Sequence, residues 1–282
     1  MTRMPHKPAF AAVLLVIVVG SAAHAGSKVF VGSQVASRNQ VSMDRIDHSA
    51  WEAILRKYVD DDGMVRYREF SASTPDVRAL DGYLQTLSTA SRQIRARREA
   101  QLSFWVNAYN AVTVRGILKE YPTSSIRNHT AKLWGYNIWK DLQLYVGTEA
   151  YSLEQMEHEI LRKMGEPRIH FAIVCASVGC PRLLNEAYVP ARVQEQLEAN
   201  ARDFFSRSRN FRYDQRNRRF YLSSIFKWFG GDFGQNRAAQ LRTISQWLPE
   251  GPSRQAAMQS ASSVSFLEYD WSLNERVMTS RR

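Results

Sequence analysis

The chain has 282 residues, 44% of them hydrophobic, and carries 38 Lys plus Arg against 27 Asp plus Glu, a formal charge of +11. This composition can bury a core, and it excludes intrinsic disorder, a fibrous repeat and a disulfide-dense miniprotein. Two cysteines cannot build a four-thiolate zinc or iron–sulfur site, and one short apolar run cannot make a polytopic membrane protein.

Residues 1–25 read as a cleaved export signal. Arg3 and Lys7 precede an apolar run from Ala9 to Val19, and Ala23-His24-Ala25 offers small residues around a cleavage bond. The run is shorter than the roughly 20 apolar residues of a membrane span, so no span is expected after cleavage. Losing Arg3 and Lys7 leaves 36 basic against 27 acidic residues, +9, so the charge belongs to the exported part. The implied location is periplasmic or extracellular, where a basic protein meets anionic envelope polymers rather than nucleic acid.

Residues 26–43 are polar and aperiodic and read as a flexible lead-in. Helical spacing of Ile46, Trp51, Ile54, Leu55 and Tyr58 then ends at the Asp60-Asp61-Asp62-Gly63 turn. That turn resembles a calcium loop, but Tyr58 stands where the leading Asp is needed. Thr74 before Pro75 signals a helix cap. From about Ser91 to Tyr121 runs the longest helical pattern, apolar in its middle and stopped by Pro122.

Leu142 to Tyr151 predicts a hairpin around Gly147-Thr148, and Ser152 with Gln155 a capping box opening a helix. Arg168 to Ala176 reads as a short strand buried on both faces. A helix over about 190–207, a hairpin over about 211–222, short helices around 223–229 and 236–248 and an irregular C-terminal segment complete the chain. Seven Arg between Arg202 and Arg219 lie in the end of that helix and in the hairpin, and read as a solvated face. The pattern predicts an α+β fold: a single domain over 44–278, with a long central helix packed against a small mixed or antiparallel sheet.

Two clusters carry chemistry. Asn107 and Asn110 sit three residues apart on one face of the central helix, where a buried amide needs a partner. They either tie the helix to loop backbone or line a cleft. In the second cluster His170, Cys175 and Cys180 suggest a thiolate nucleophile, but on a strand His170 and Cys175 would face opposite ways about 16 Å apart. The base would then come from elsewhere, with His158 or His129 as candidates. Equally, two cysteines in an exported chain can form a Cys175–Cys180 disulfide. A metal site at these residues lacks a fourth ligand, and no cofactor motif is present.

The stretches Phe104–Asn110, Ser152-Leu153 with Glu157–Arg162, Arg168–Ala172, Cys175–Ser177 and Cys180-Pro181 closely resemble the domain-of-unknown-function family numbered 547. The likeness continues through Leu222–Phe229, Asp232-Phe233 and Tyr269–Asn274, over roughly residues 45–275. The resemblance implies a domain found in bacterial envelope proteins, without an activity to transfer. A weaker likeness to papain-like and transglutaminase-like folds would place His170 at a strand start, but puts Asn where those folds have the nucleophilic Cys. Two readings stay open. In one, Asn107, Asn110 and Arg182 bind a peptide or anionic envelope ligand. In the other, Cys175 or Cys180, with His158 or His170, performs acyl transfer, hydrolysis or disulfide exchange. Oligomeric state is not encoded in any pattern found.

Overall fold

Helix α4 (Arg98–Glu120) is the axis of the fold, and it is buried on nearly every side from Ala100 to Leu118. A helix without a polar face must be enclosed by others. Around it pack α2 (Tyr67–Ala72), α3 (Thr74–Ser88) and α6 (Val193–Ser206), with α1 (Ser49–Tyr58) against α3 and a strand of the first sheet on a further side. The computed structural model describes residues 28–130, 137–260 and 262–276. The expected export signal, the start of the lead-in and the domain boundary at 278 lie outside these residues. Among the described residues no helix is long and apolar enough to cross a membrane.

Two three-stranded mixed sheets flank the helices. In the first, β1 (Val29–Val31) runs parallel to β2 (Leu142–Val146), which pairs antiparallel with β3 (Glu149–Ser152). Gly147 turns the hairpin at φ +65°, a conformation glycine adopts without steric cost. The capping box then forms as expected: Ser152 and Gln155 satisfy each other's backbone N–H groups and open α5 (Leu153–Gln155). In the second sheet β4 (Phe211–Asp214) and β5 (Arg219–Leu222) form the expected hairpin, and β6 (Ser263–Phe266) adds to β5 in parallel. The α+β class with small mixed sheets is the architecture observed.

The structure differs from the sequence reading in three places. Residues 29–31 of the lead-in are a strand, because a Val-Phe-Val triplet too short to show periodicity finds the free edge of β2. The C-terminal segment carries α10 (Pro252–Gln259) and β6, whose pairing with β5 is a long-range contact. The strand expected at 168–176 is instead a 3-10 turn, Pro167–Phe171, followed by irregular backbone. Pro167 opens the turn, and Glu166 accepts the N–H of Arg168 as its cap. A short apolar run cannot distinguish a buried strand from a buried turn.

Two apolar clusters form the core. The larger surrounds α4, and the smaller gathers Phe171, Phe204, Phe205, Phe226, Phe233 and Trp247 between α6 and the helices α7 (Ile225–Trp228), α8 (Gly230–Phe233) and α9 (Arg237–Ser245). Tyr269 packs against both. The seam between them holds the cavity described next.

Candidate functional site

At that seam lies a cavity of about 230 Å³. Cys175, Cys180, Glu157, His158 and His170 line it together with Tyr109, Trp139, Trp228, Phe229, Tyr269 and Trp271.

The π-helical turn Met156–Leu161 follows α5 and delivers the acidic and imidazole groups. Glu154, Glu157 and His158 stand at i, i+3 and i+4, one helical face, and all three line the cavity. Glu157 accepts from the buried Tyr109 hydroxyl at 3.3 Å. Burial pushes its carboxyl up to about 7, against the hydrogen bond from Tyr109 and the nearby Arg162 charge, which both favour ionisation. His158 Nδ1 accepts from Arg162 at 2.9 Å, and burial together with that guanidinium keeps its imidazole below the usual range.

His170 is 3% exposed and stacks on Phe229 at 4.5 Å between ring centroids. Its Nε2 meets Asp232 Oδ2 at 2.7 Å, and Arg162 grips the same carboxylate with two N–H groups at 2.6 and 2.8 Å. Burial resists ionisation of Asp232, but the hydrogen bonds from Arg162 and His170 outweigh it and hold the carboxyl well below the ordinary range. Burial lowers the pKa of His170, partly offset by Asp232. The imidazole is therefore oriented by Asp232 through one nitrogen, and Nδ1 makes no hydrogen bond among the described residues.

The loop from Cys175 to Cys180 is clamped to the irregular segment 270–274. Val178 and Gly179 donate backbone bonds to Ser272 and Asp270, each at 2.8 Å, and Asn274 donates to the Ala176 carbonyl at 3.1 Å. Ala176 is held at φ +55°, a left-handed conformation that costs a non-glycine residue about 1 kcal/mol or more and concentrates at functional sites. A Cβ on Gly179 would lie 2.9 Å from both the N and O of Asp270. Gly179→Ala is therefore expected to cost about 1–3 kcal/mol in thermal unfolding and to disturb the reactivity of both thiols; an unchanged midpoint would show that the segment yields freely.

Both cysteines are free thiols, and their sulfurs are 2.8 Å apart. Cys180 Sγ also accepts from the Cys175 backbone N–H at 3.0 Å and from the Tyr269 hydroxyl at 3.1 Å, with Ser177 Oγ at 3.4 Å. Burial alone would raise the Cys180 pKa, but the hydrogen bonds from Cys175, Ser177 and Tyr269 outweigh it and bring the thiol down to about 6. Cys175 moves the other way, well above the ordinary thiol range, because its proton is shared with Cys180 and its sulfur is buried. The two shifts run in opposite directions, so a thiolate is favoured on Cys180 over Cys175.

The expected strand geometry between His170 and Cys175 does not hold. Because Pro167–Phe171 is a 3-10 turn, both residues line one cavity. His158 and Cys180 join them there, whereas His129 does not and instead bonds Thr123.

Asn107 and Asn110 do not line the cavity. Asn107 exchanges two hydrogen bonds with the backbone of Tyr188, and Asn110 donates to the Ala172 carbonyl at 2.9 Å and accepts from Val174 N–H at 3.0 Å. They are backbone clamps, and the second takes the groups a neighbouring strand would otherwise satisfy. Arg182 is likewise engaged, with Asn200 at 2.8 Å and Asp203 at 3.6 Å, away from the cavity. The residues missed were Glu157, Tyr109, Ser177, Tyr269, Asp232 and the aromatic wall. Glu157, Asp232 and Tyr269 all stood inside stretches noted for the family resemblance, but nothing in their local pattern marks their roles. Among the described residues no cluster of three His, Cys, Asp or Glu could hold a metal ion.

Comparison with known proteins gives one match. No curated protein and no solved structure is matched by this chain. Residues 94–205 match the family model described as "Protein of unknown function, DUF547", a span that takes in α4, the π-helical turn, His170 and both cysteines. The chain carries a DUF547 domain over those residues.

Proposed function

We propose that the cavity is a thiol–disulfide exchange site, with Cys180 as the attacking thiolate and Cys175 as the resolving thiol. One observation carries the reading: two free sulfurs in contact inside a cavity, with the hydrogen bonds of Cys175, Ser177 and Tyr269 converging on Cys180. Acyl transfer has no use for a second thiol in contact with the first, whereas disulfide exchange requires one.

The chemistry balances without a further reagent. The Cys180 thiolate attacks one sulfur of a substrate disulfide; that S–S bond breaks, a Cys180–substrate bond forms, and the leaving sulfur takes a proton from solvent. Cys175 then loses its proton and attacks Cys180 Sγ, breaking the mixed disulfide and releasing the second substrate sulfur, which takes up a proton from solvent. Glu157, poised at about 7 on the wall of the same cavity, is the carboxylate available to receive the Cys175 proton. The substrate gains two electrons and two protons, and the protein ends as a Cys175–Cys180 disulfide. The reverse sequence oxidises a substrate dithiol. The export signal expected at residues 1–25 supports this reading, since exported proteins carry disulfides.

With hydroxyethyl disulfide, the reduced protein is expected to lose both titratable thiols together, whereas Cys175→Ser stalls as a mixed disulfide on Cys180 visible in the intact mass. Alkylation of Cys180 should show a pH midpoint near 6 rather than near the ordinary thiol value of about 8.5. Thiols that persist where a free cysteine peptide is oxidised, or an adduct trapped in Cys180→Ser but not in Cys175→Ser, would overturn the assignment.

A second reading, acyl transfer, is favoured by His170, which lines the cavity and is oriented by Asp232. It requires Cys175→Ser to retain full turnover of a thioester, which disulfide exchange does not. If ligand binding were the whole function, both Cys→Ser variants would retain it.

A further inference from the structure

The aromatic wall limits what can reach the sulfurs. We infer, resting on the thiol-exchange reading, that the substrate is a peptide or protein disulfide whose cysteine is flanked by an aromatic or large aliphatic side chain, and that small anionic disulfides are excluded.

The first support is shape. The cavity, about 230 Å³, is smaller than the roughly 300–1,000 Å³ of sites that enclose a drug-sized molecule, so it accepts a side chain or two rather than a whole cofactor. The second is the lining. Trp228 is 44% exposed, and its ring lies 4.9 Å from Tyr269 and 5.7 Å from Trp271, centroid to centroid. A tryptophan this open, continuous with an apolar cavity, is surface left for a partner to cover.

The third support is charge. The described residues that line the cavity include Glu154 and Glu157 but no lysine or arginine. The cations around it are engaged elsewhere: Arg162 with Asp232 and over the Phe229 ring at 5.3 Å, Arg127 over the Trp271 ring at 5.2 Å, and Lys140 with Glu154 at 3.6 Å. A carboxylate carried into this cavity beside Cys180 would meet two acidic side chains and no lysine or arginine among the described lining residues. The wider surface argues the other way, since a chain of formal charge +11 attracts anions at a distance. Selection by long-range charge alone would thus favour an acidic substrate, and selection by the cavity an apolar one.

The test uses three N-acetyl-Xaa-cysteine-amide disulfides, with Xaa as Phe, Gly or Glu. The rate at which each oxidises the reduced protein is divided by its rate with free cysteine amide, which cancels intrinsic disulfide reactivity. The Phe peptide is expected to exceed the Gly peptide by about tenfold, a pocket-filling effect, and the Glu peptide to fall below both. Trp228→Ala should remove most of the Phe preference, and Trp228→Phe should retain it. If all three oxidise the protein at equal normalised rates, if Glu is fastest, or if Trp228→Ala leaves the ratio intact, the substrate inference fails while the exchange reading stands. If none oxidises Cys175 and Cys180, the exchange reading itself fails.

Discussion

Asn110→Ala is expected to destabilise the protein by about 4 kcal/mol and to disorganise the thiol site. The amide both donates to the Ala172 carbonyl and accepts from Val174 N–H, and it is 2% exposed. Truncation orphans two buried backbone groups, each worth about 1–3 kcal/mol, and leaves a small void between α4 and the following turn. Those backbone groups lie one and three residues before Cys175, so the loss should also raise the pH midpoint of Cys180 alkylation. Urea unfolding and alkylation on the same variant check both effects. A cost under about 1 kcal/mol would mean that water replaces the clamp at no penalty.

Glu157→Gln is expected to stabilise the protein by an amount that grows as pH rises from about 4.5 and is nearly complete above about 7. In the folded chain the Glu157 carboxyl titrates near 7 rather than near 4.5, because burial disfavours its charge. Between those two values the folded state holds a proton that the unfolded state has lost, so stability falls as pH rises through the window. The shift is worth about 3 kcal/mol, with little discount because the group is largely buried. Glutamine keeps the acceptor for Tyr109 and removes the charge. Cys180 contributes the opposite slope: its folded thiol is depressed to about 6, so its contribution to stability grows as pH rises above that. Cys180 is present in both proteins, and because its charge also raises the Glu157 carboxyl, the difference between them reports Glu157 together with that coupling. The advantage of the variant should be near zero at pH 4.5 and about 3 kcal/mol at pH 8, measured by urea unfolding. A difference that does not vary with pH would remove Glu157 from the list of buried titrating groups. Under the exchange reading the same variant should slow resolution of the mixed disulfide, because the proton acceptor for Cys175 is gone.

Much of the fold was legible from local rules. The continuous apolar stretch of α4, the hairpin at Gly147, the capping box at Ser152 and the hairpin from Phe211 to Leu222 each depend on residues close in sequence. The C-terminal strand and the Val29–Val31 strand were not legible, because each exists only through a partner more than forty residues away.

By itself the sequence determined the α+β class, the central helix and the DUF547 motifs, and it offered Cys175, Cys180, His158 and His170 as candidate reactive groups. Tertiary structure decided which of these meet. A helix-borne amide, Asn110, takes the hydrogen bonds of a segment whose composition reads as a strand, and the resulting turn brings His170 and Cys175 to one cavity. Tyr269 and Asp232, distant in the chain, then set the charge on Cys180 and the orientation of His170. Burial and hydrogen bonding to remote groups fix a side chain's protonation, and neither is a property of the residues beside it in the chain.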